Sequence, residues 1–333
     1  FLRNFLGAFS TILGIQGIVG TAVWYRQDLP WGNVAQSIGI PYVILHKECF
    51  KPEPTQMRKT VEKALNYGQF RGEHIVVHNS PMREALINSG YVQPEKISAL
   101  GCMRMDEFVR RTALKSVSTS QCPLATFFSF TLGVGLDDLG VDPFPRNSED
   151  GWKDLFDKSH IAFAKLACDI PNSNFIIKTK WSGQWTDRIK RILEDAGLPL
   201  ENIPNLNLGT GNDAHDLILN SNVIVTFGST TMLEAGLAGK PVVVPDFSEA
   251  QRPVFSDRVK LRDDYDIFDI ASTPECFMQK IAEHLENPKV DAQYETKRKH
   301  LFEQWVSAID GCSTQRYCDL LGSVTNDVGV MRS

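Results

Sequence analysis

Residues 222–246 read NVIVTFGSTTMLEAGLAGKPVVVPD, and the fold is decided here. VIVTF (223–227) is an unbroken apolar, β-branched run of strand length, as expected of a strand covered on both faces in a parallel sheet. It runs straight into Gly228, Ser229, Thr230 and Thr231, then into a stretch of small apolar residues at helical spacing, 230–239, and a second buried run, PVVVP (241–245). Strand, turn, helix and strand in that order form a βαβ unit.

The same alternation extends in both directions. Upstream in the same half lie LATFFSF (124–130), a Gly-, Asp- and Pro-rich loop (132–151), a helix at 152–168, FIIKTK (175–180), a helix at 186–196, NLNLG (205–209) and a helix at 213–221. Helices are expected at 273–287 and 292–310, with a frayed last dozen residues. An earlier series begins with the helical FLRNFLGAFSTILG and continues with GIVGTAVWY (17–25), PYVILHK (41–47), a helix at 54–67, HIVVH (74–78), a helix at 81–90 and KISALG (96–101). Between them TALKSVSTSQ (112–121) lacks an apolar stripe and reads as a linker. The expectation is an α/β protein of two Rossmann-like domains: 1–112, a linker at 113–121, 122–310, and a C-terminal helix or tail at 311–333. The chain begins at Phe1 and its first half is short, so the N-terminal domain is expected to be incomplete.

Bulk properties narrow the function. The 333 residues are 42% apolar and 23% charged, enough for two cores. The net charge of −5 gives no general attraction for nucleic acid. Seven cysteines without C-x-x-C spacing suit free thiols in a reducing compartment, hence a cytoplasmic protein. No apolar run approaches a membrane span of about 20 residues; the first helix reads as one packed in its domain, with an amphipathic helix in peripheral association with the inner membrane face as the alternative. No cluster has metal-ligand spacing and no cofactor motif is present.

Ligands of open α/β sheets sit beyond the carboxyl ends of the strands. Gly228 permits a sharp turn there, Ser229, Thr230 and Thr231 offer hydroxyls for helix capping or for phosphate and sugar oxygens, and Glu234, one turn inside the helix, suits a ribose diol. A capped helix with a surface glutamate accounts for the same pattern structurally. SFTLGVG (129–135), with Thr131, offers backbone amides to a diphosphate. Lys178 and Lys180 offer charge to a leaving phosphate, and Gly209, Gly211 and His215 belong to a loop suited to enclosing a base. In the first half, His46 and Glu48 of LHKECF share one side of an extended segment if the strand alternation continues, and either is a candidate general base. Asp28 is a further candidate base and Arg104 a hinge contact.

Two tracts, SNVIVTFGSTTMLEAGLAGKPVVVP and KISALGCMRMDEF, resemble the GT-B glycosyltransferases and epimerases that use nucleotide-activated sugars, especially transferases of bacterial capsule and lipopolysaccharide biosynthesis. The first is similar to the donor-binding strand-loop-helix-strand of that family, the second to the segment closing its N-terminal domain. The resemblance implies a metal-independent transfer from a nucleotide-sugar donor to a glycan or lipid-linked glycan acceptor. CDP-polyol phosphotransferases and UDP-sugar 2-epimerases share the donor-domain pattern and remain alternatives. A sugar-binding module without catalysis is the reading from another class.

Overall fold

Val223–Thr226 is a strand with all four residues buried, and Val242–Pro245 is another. Helices covering both faces of a parallel sheet leave such strands no solvent side, which is why their sequences run apolar without alternation. The computed structural model describes residues 2–25, 28–114, 122–136 and 151–331. The expected linker at 113–121 falls largely outside the described residues, as does most of the 132–151 loop. Two units are present: Phe1–Ala113 with Leu301–Ser333, and Leu114–His300.

Unit 1 contains α1 (Leu2–Leu13), β1 (Ile18–Gly20), α2 (Leu29–Ser37), β2 (Tyr42–Leu45), α3 (Pro54–Leu65), β3 (His74–Val77), α4 (Ser80–Asn88), β4 (Ile97–Ala99) and α5 (Asp106–Ala113). Its sheet is parallel in the order β1-β2-β3-β4. Asn79 shows how one polar side chain organises a corner: its carbonyl oxygen caps α4 by accepting from Met82 N at 3.0 Å, while its amide donates to Cys49 O and Trp305 O. Among the described residues no helix is long and apolar enough to cross a membrane.

Unit 2 contains β5 (Leu124–Phe128), α6 (Lys153–Asp169), β6 (Asn174–Lys178), α7 (Gln184–Asp195), β7 (Leu206–Gly209), α8 (Ala214–Asn220), β8 (Val223–Thr226), α9 (Thr231–Leu237), β9 (Val242–Pro245), β10 (Asp269–Ala271) and α10 (Pro274–Glu286). All six strands are parallel, in the order β10-β9-β8-β5-β6-β7. This is the doubly wound Rossmann order, in which the chain starts centrally, builds one half and returns to build the other. Trp152, Leu155, Phe156, Phe163 and Leu166 are buried at or on α6, as their spacing predicts.

The end of the chain departs from the sequence expectation. The boundary falls within α11 (Glu295–Trp305), and α12 runs from Ser313 to Met331 as part of unit 1 rather than as a frayed tail. Side-chain bonds explain the return. Both carboxylate oxygens of Asp106 accept from the start of α12, from Ser313 N at 2.9 Å and Thr314 N at 2.7 Å. Burial alone would raise the Asp106 pKa, but these bonds outweigh it and hold the group below its usual range. Tyr317 Oη donates to Gly101 O, and Ser307 Oγ accepts from Cys102 N. Gly101 has φ +87°, and a Cβ there would overlap the Ser313 hydroxyl, so only glycine permits this approach.

Candidate functional site

Strand order reverses between β5 and β8, whose outgoing connections lead to opposite halves of the sheet. In open α/β sheets ligands bind beyond the carboxyl ends of the strands at such a reversal. The two loops at this point meet: a Cβ on Gly228 would lie 3.5 Å from the Val134 methyls, and Gly228 adopts φ +62°, a conformation that disfavours any side chain. Thr131 and Gly133 close successive turns by accepting from Val134 N and Leu136 N.

The hydroxyls after β8 are arranged differently from simple helix caps. Thr230 makes no side-chain cap; its Oγ1 instead donates to Glu234 Oε1 at 2.7 Å. Ser229 Oγ accepts from Thr231 N at 3.3 Å and lies 3.1 Å from Thr231 Oγ1. Glu234 is 3% exposed, so it is not a surface glutamate. Its second oxygen lies 3.7 Å from His215 Nε2, which draws the start of α8 to α9. Thr230 thus fixes one oxygen of the carboxylate, and His215 faces the other.

Along the β6–β7 edge, Lys178 Nζ donates to the Thr210 carbonyl. Partial burial lowers its pKa, opposed by Asp213. Lys180 is exposed and lies 4.7 Å above the ring of Trp181, itself half exposed. A Cβ on Gly209 or Gly211 would meet open space, so the backbone there is approachable. Asp213 caps α8 by accepting from His215 N and Asp216 N.

Two further features of unit 2 have no local sequence signal. Glu249, 1% exposed, places Oε1 and Oε2 each 2.8 Å from the backbone nitrogens of Asp154 and Leu155. The N-terminus of α6, where many Rossmann folds seat a ligand phosphate, is therefore filled by a carboxylate of the same chain. His160 is buried among Phe127, Phe130 and Phe156. Its Nδ1 faces the Phe156 carbonyl at 2.7 Å and must donate, so Nε2 accepts from Ser129 Oγ at 3.0 Å and orients the first hydroxyl after β5.

In unit 1, β2 ends at Leu45 and the expected alternation through Glu48 stops there. His46 turns inward, fully buried against Trp24 with ring centroids 4.5 Å apart, and neither ring nitrogen has a hydrogen-bond partner among the described residues. Glu48 is half-buried, and its Oε1 accepts from Tyr25 Oη at 3.1 Å. Asp28 Oδ2 accepts from Thr21 N, Thr21 Oγ1 and Ala22 N, which binds it into the turn after β1. Arg104 is exposed, and its charge helps lower His78, which follows β3 and which sequence reading passed over.

Burial holds three histidines neutral: His46 is lowered to about 3, His78 to about 4 and His160 to about 3. The unfolded chain takes up these protons near pH 6.5 while the native state does not. Their contribution to stability is thus complete above that pH and is lost on acidification, by up to ~1.4 kcal/mol per pH unit per histidine. Denaturant midpoints are expected to fall between pH 7 and pH 5, and His46→Phe to flatten the slope for unit 1. Identical slopes in the wild type and the variant would contradict this assignment.

No protein-family model and no curated protein matches the chain. Solved structures match it in fold. The UDP-GlcNAc 2-epimerase of Neisseria meningitidis bound to UDP-GlcNAc aligns with 96% of this chain and 80% of its own, at 12% identity and TM-score 0.55. The wall teichoic acid polymerase TagF, in a variant soaked with CDPG, aligns with 88% and 70%, at 14% identity and TM-score 0.51. HepE from Anabaena in complex with UDP aligns with 97% and 82%, at 13% identity and TM-score 0.51. At these identities the likeness is one of fold, the GT-B architecture of two Rossmann-like domains.

Proposed function

We propose that the chain is a GT-B glycosyltransferase of cell-surface polysaccharide biosynthesis, acting in the cytoplasm or at the inner membrane face. It transfers a sugar from a nucleotide-activated donor to a glycan or lipid-linked glycan acceptor. The observation that carries the reading is the buried Glu234 carboxylate at the β5–β8 switch point, held by Thr230 and faced by His215. There it meets the ribose diol of the nucleotide. Thr131, Ser229, Thr231 and the adjacent backbone amides meet the phosphates, and Gly209 allows the base close to the backbone. Lys178, which keeps further N–H donors beyond the one given to Thr210, offsets charge on the leaving phosphate in place of a bound metal, and Lys180 adds charge at the rim.

In the transfer, the acceptor hydroxyl oxygen forms the new bond to the anomeric carbon as the bond from that carbon to the phosphate oxygen breaks. The electron pair leaves with the nucleotide, and the acceptor proton passes to a base. Glu48 is assigned that role because it is only half-buried and its carboxylate is oriented by Tyr25, whereas His46 is sealed in the core and Asp28 is engaged by the turn.

Calorimetry with UDP, CDP, CMP and GDP tests the donor site. Glu234→Gln is expected to weaken the preferred nucleotide tenfold or more, since hydrogen bonds to charged groups carry roughly 1.5–3 kcal/mol. Equal affinity in the variant would remove Glu234 from the site. A second reading, epimerisation of the nucleotide sugar or transfer of a polyol phosphate, draws on the likeness to the epimerase and to TagF. Product formed from a nucleotide sugar alone, with no acceptor, would select the epimerase.

A further inference from the structure

Unit 1 contains a cavity of about 510 Å³ that no step of the proposed transfer uses. Its size is that of a small-molecule site, for which about 300–1,000 Å³ is usual. It lies along β2, where Tyr42 and Ile44 share one sheet face, and is completed by Ala22 and Asp28 beyond β1, by α2 and by the turn at 67–72.

Glycines admit the aromatic side chains of the lining. A Cβ on Gly20 would overlap the Tyr42 hydroxyl, one on Gly32 would press on the Tyr42 ring at 3.1 Å, and one on Gly72 would overlap both the Phe70 ring and the Tyr42 carbonyl. Tyr42 and Phe70 thus lie against bare backbone. Tyr42 is further fixed by donating its hydroxyl to Asp28 O at 3.0 Å, and Phe70 N donates to Tyr91 O at 2.9 Å. The aromatic part of the lining is anchored, not loosely collapsed.

The polar part has a different character. Asn33, Gln69 and Arg71 are exposed residues that line the cavity, so their side chains remain hydrated and available. Asp28 spends Oδ2 on the turn after β1 and keeps Oδ1 for another donor. Two amides offer both donor and acceptor atoms, a guanidinium only donors and a carboxylate only acceptors. Aromatic surface surrounded by that mixture complements a ring with apolar C–H faces and hydroxyls around its edge.

We propose that this cavity is a saccharide-binding site, which holds one sugar residue of the glycan on which the protein acts. Its identification as part of an acceptor rests on the transferase reading; the site itself does not. Asn33 and Gln69 bond ring hydroxyls, and Arg71 adds a preference for a sugar that bears a carboxylate.

Saturation-transfer NMR on the full chain tests the site directly, with methyl β-glucoside, methyl N-acetyl-β-glucosaminide and methyl β-glucuronide as probes and uridine as a control. Saturation of at least one glycoside at millimolar concentration is expected, with at least tenfold weaker binding in Asn33→Ala and Gln69→Ala. Arg71→Ala is expected to weaken the glucuronide more than the neutral glycosides. All three positions are exposed, so the variants should keep the wild-type melting temperature, and UDP affinity measured in parallel should not change. Absence of glycoside binding, binding insensitive to all three substitutions, or binding of uridine in the cavity would each overturn the proposal. Failure of the wild type to bind any of UDP, CDP, CMP and GDP would instead overturn the transferase reading while leaving this site standing.

Discussion

Glu48→Gln is expected to reduce turnover by roughly 10²–10⁴-fold, the range for a lost general base, with donor affinity nearly unchanged. The glutamine keeps the shape and still accepts a bond from Tyr25, whose own pKa is raised by burial and then by the neighbouring Glu48, so that its hydroxyl stays protonated and donates. Only the proton-accepting charge is removed. Tyr25→Phe should cost less than Glu48→Gln, because it frees the carboxylate to turn without neutralising it. His46→Ala is the necessary comparison. Because burial already lowers His46 to about 3, a loss of activity near pH 6.5 would not identify it as the base, as it would an ordinary imidazole; substitution must decide instead. Near-normal turnover of Glu48→Gln with donor and acceptor saturating would return the role to another group, and Asp28→Asn would be the next variant to measure.

Glu249→Ala is expected to destabilise unit 2 by roughly 3 kcal/mol, since it removes two charge-assisted bonds and leaves the nitrogens of Asp154 and Leu155 without their acceptors. Glu249→Gln should fall between the two, because its amide offers one acceptor and turns an N–H toward the second backbone nitrogen. A chain of two units need not unfold in a single step. Amide hydrogen exchange at 153–157 is therefore the better measurement, and faster exchange there than in α10 is the expected pattern. Wild-type protection at the start of α6 in Glu249→Ala would show that the carboxylate is not what seals that helix.

Much of the fold was legible. VIVT, VVVP and ATFF are continuous apolar runs, and burial on both faces makes that pattern a direct record of a parallel strand. Gly228 was legible as a turn because a positive φ next to a strand favours that one residue. The hydroxyls at 229–231 and Glu234 were legible as residues that the turn brings together, though their bonds to one another were not. β10 was missed: Asp-Ile-Ala is too short and too polar to announce a strand, and it exists because its backbone pairs with β9.

The sequence by itself determined where most strands and helices lie and that two βα series are present, since these follow from periodicities read over one or two turns of chain. Tertiary structure decided which strands are neighbours, and hence that the β5 and β8 loops share the switch point. It also decided that Glu249 caps a helix whose first residues lie 94 and 95 positions earlier, that Asp106 draws α12 back to unit 1, and that His46 faces the core while Glu48 stays half-buried beside Tyr25. Each of these is a choice of partner across long chain separations. A carboxylate or imidazole carries no local mark of its partner, because the free energy that selects it comes from burying the whole surrounding surface and satisfying the polar groups left inside it.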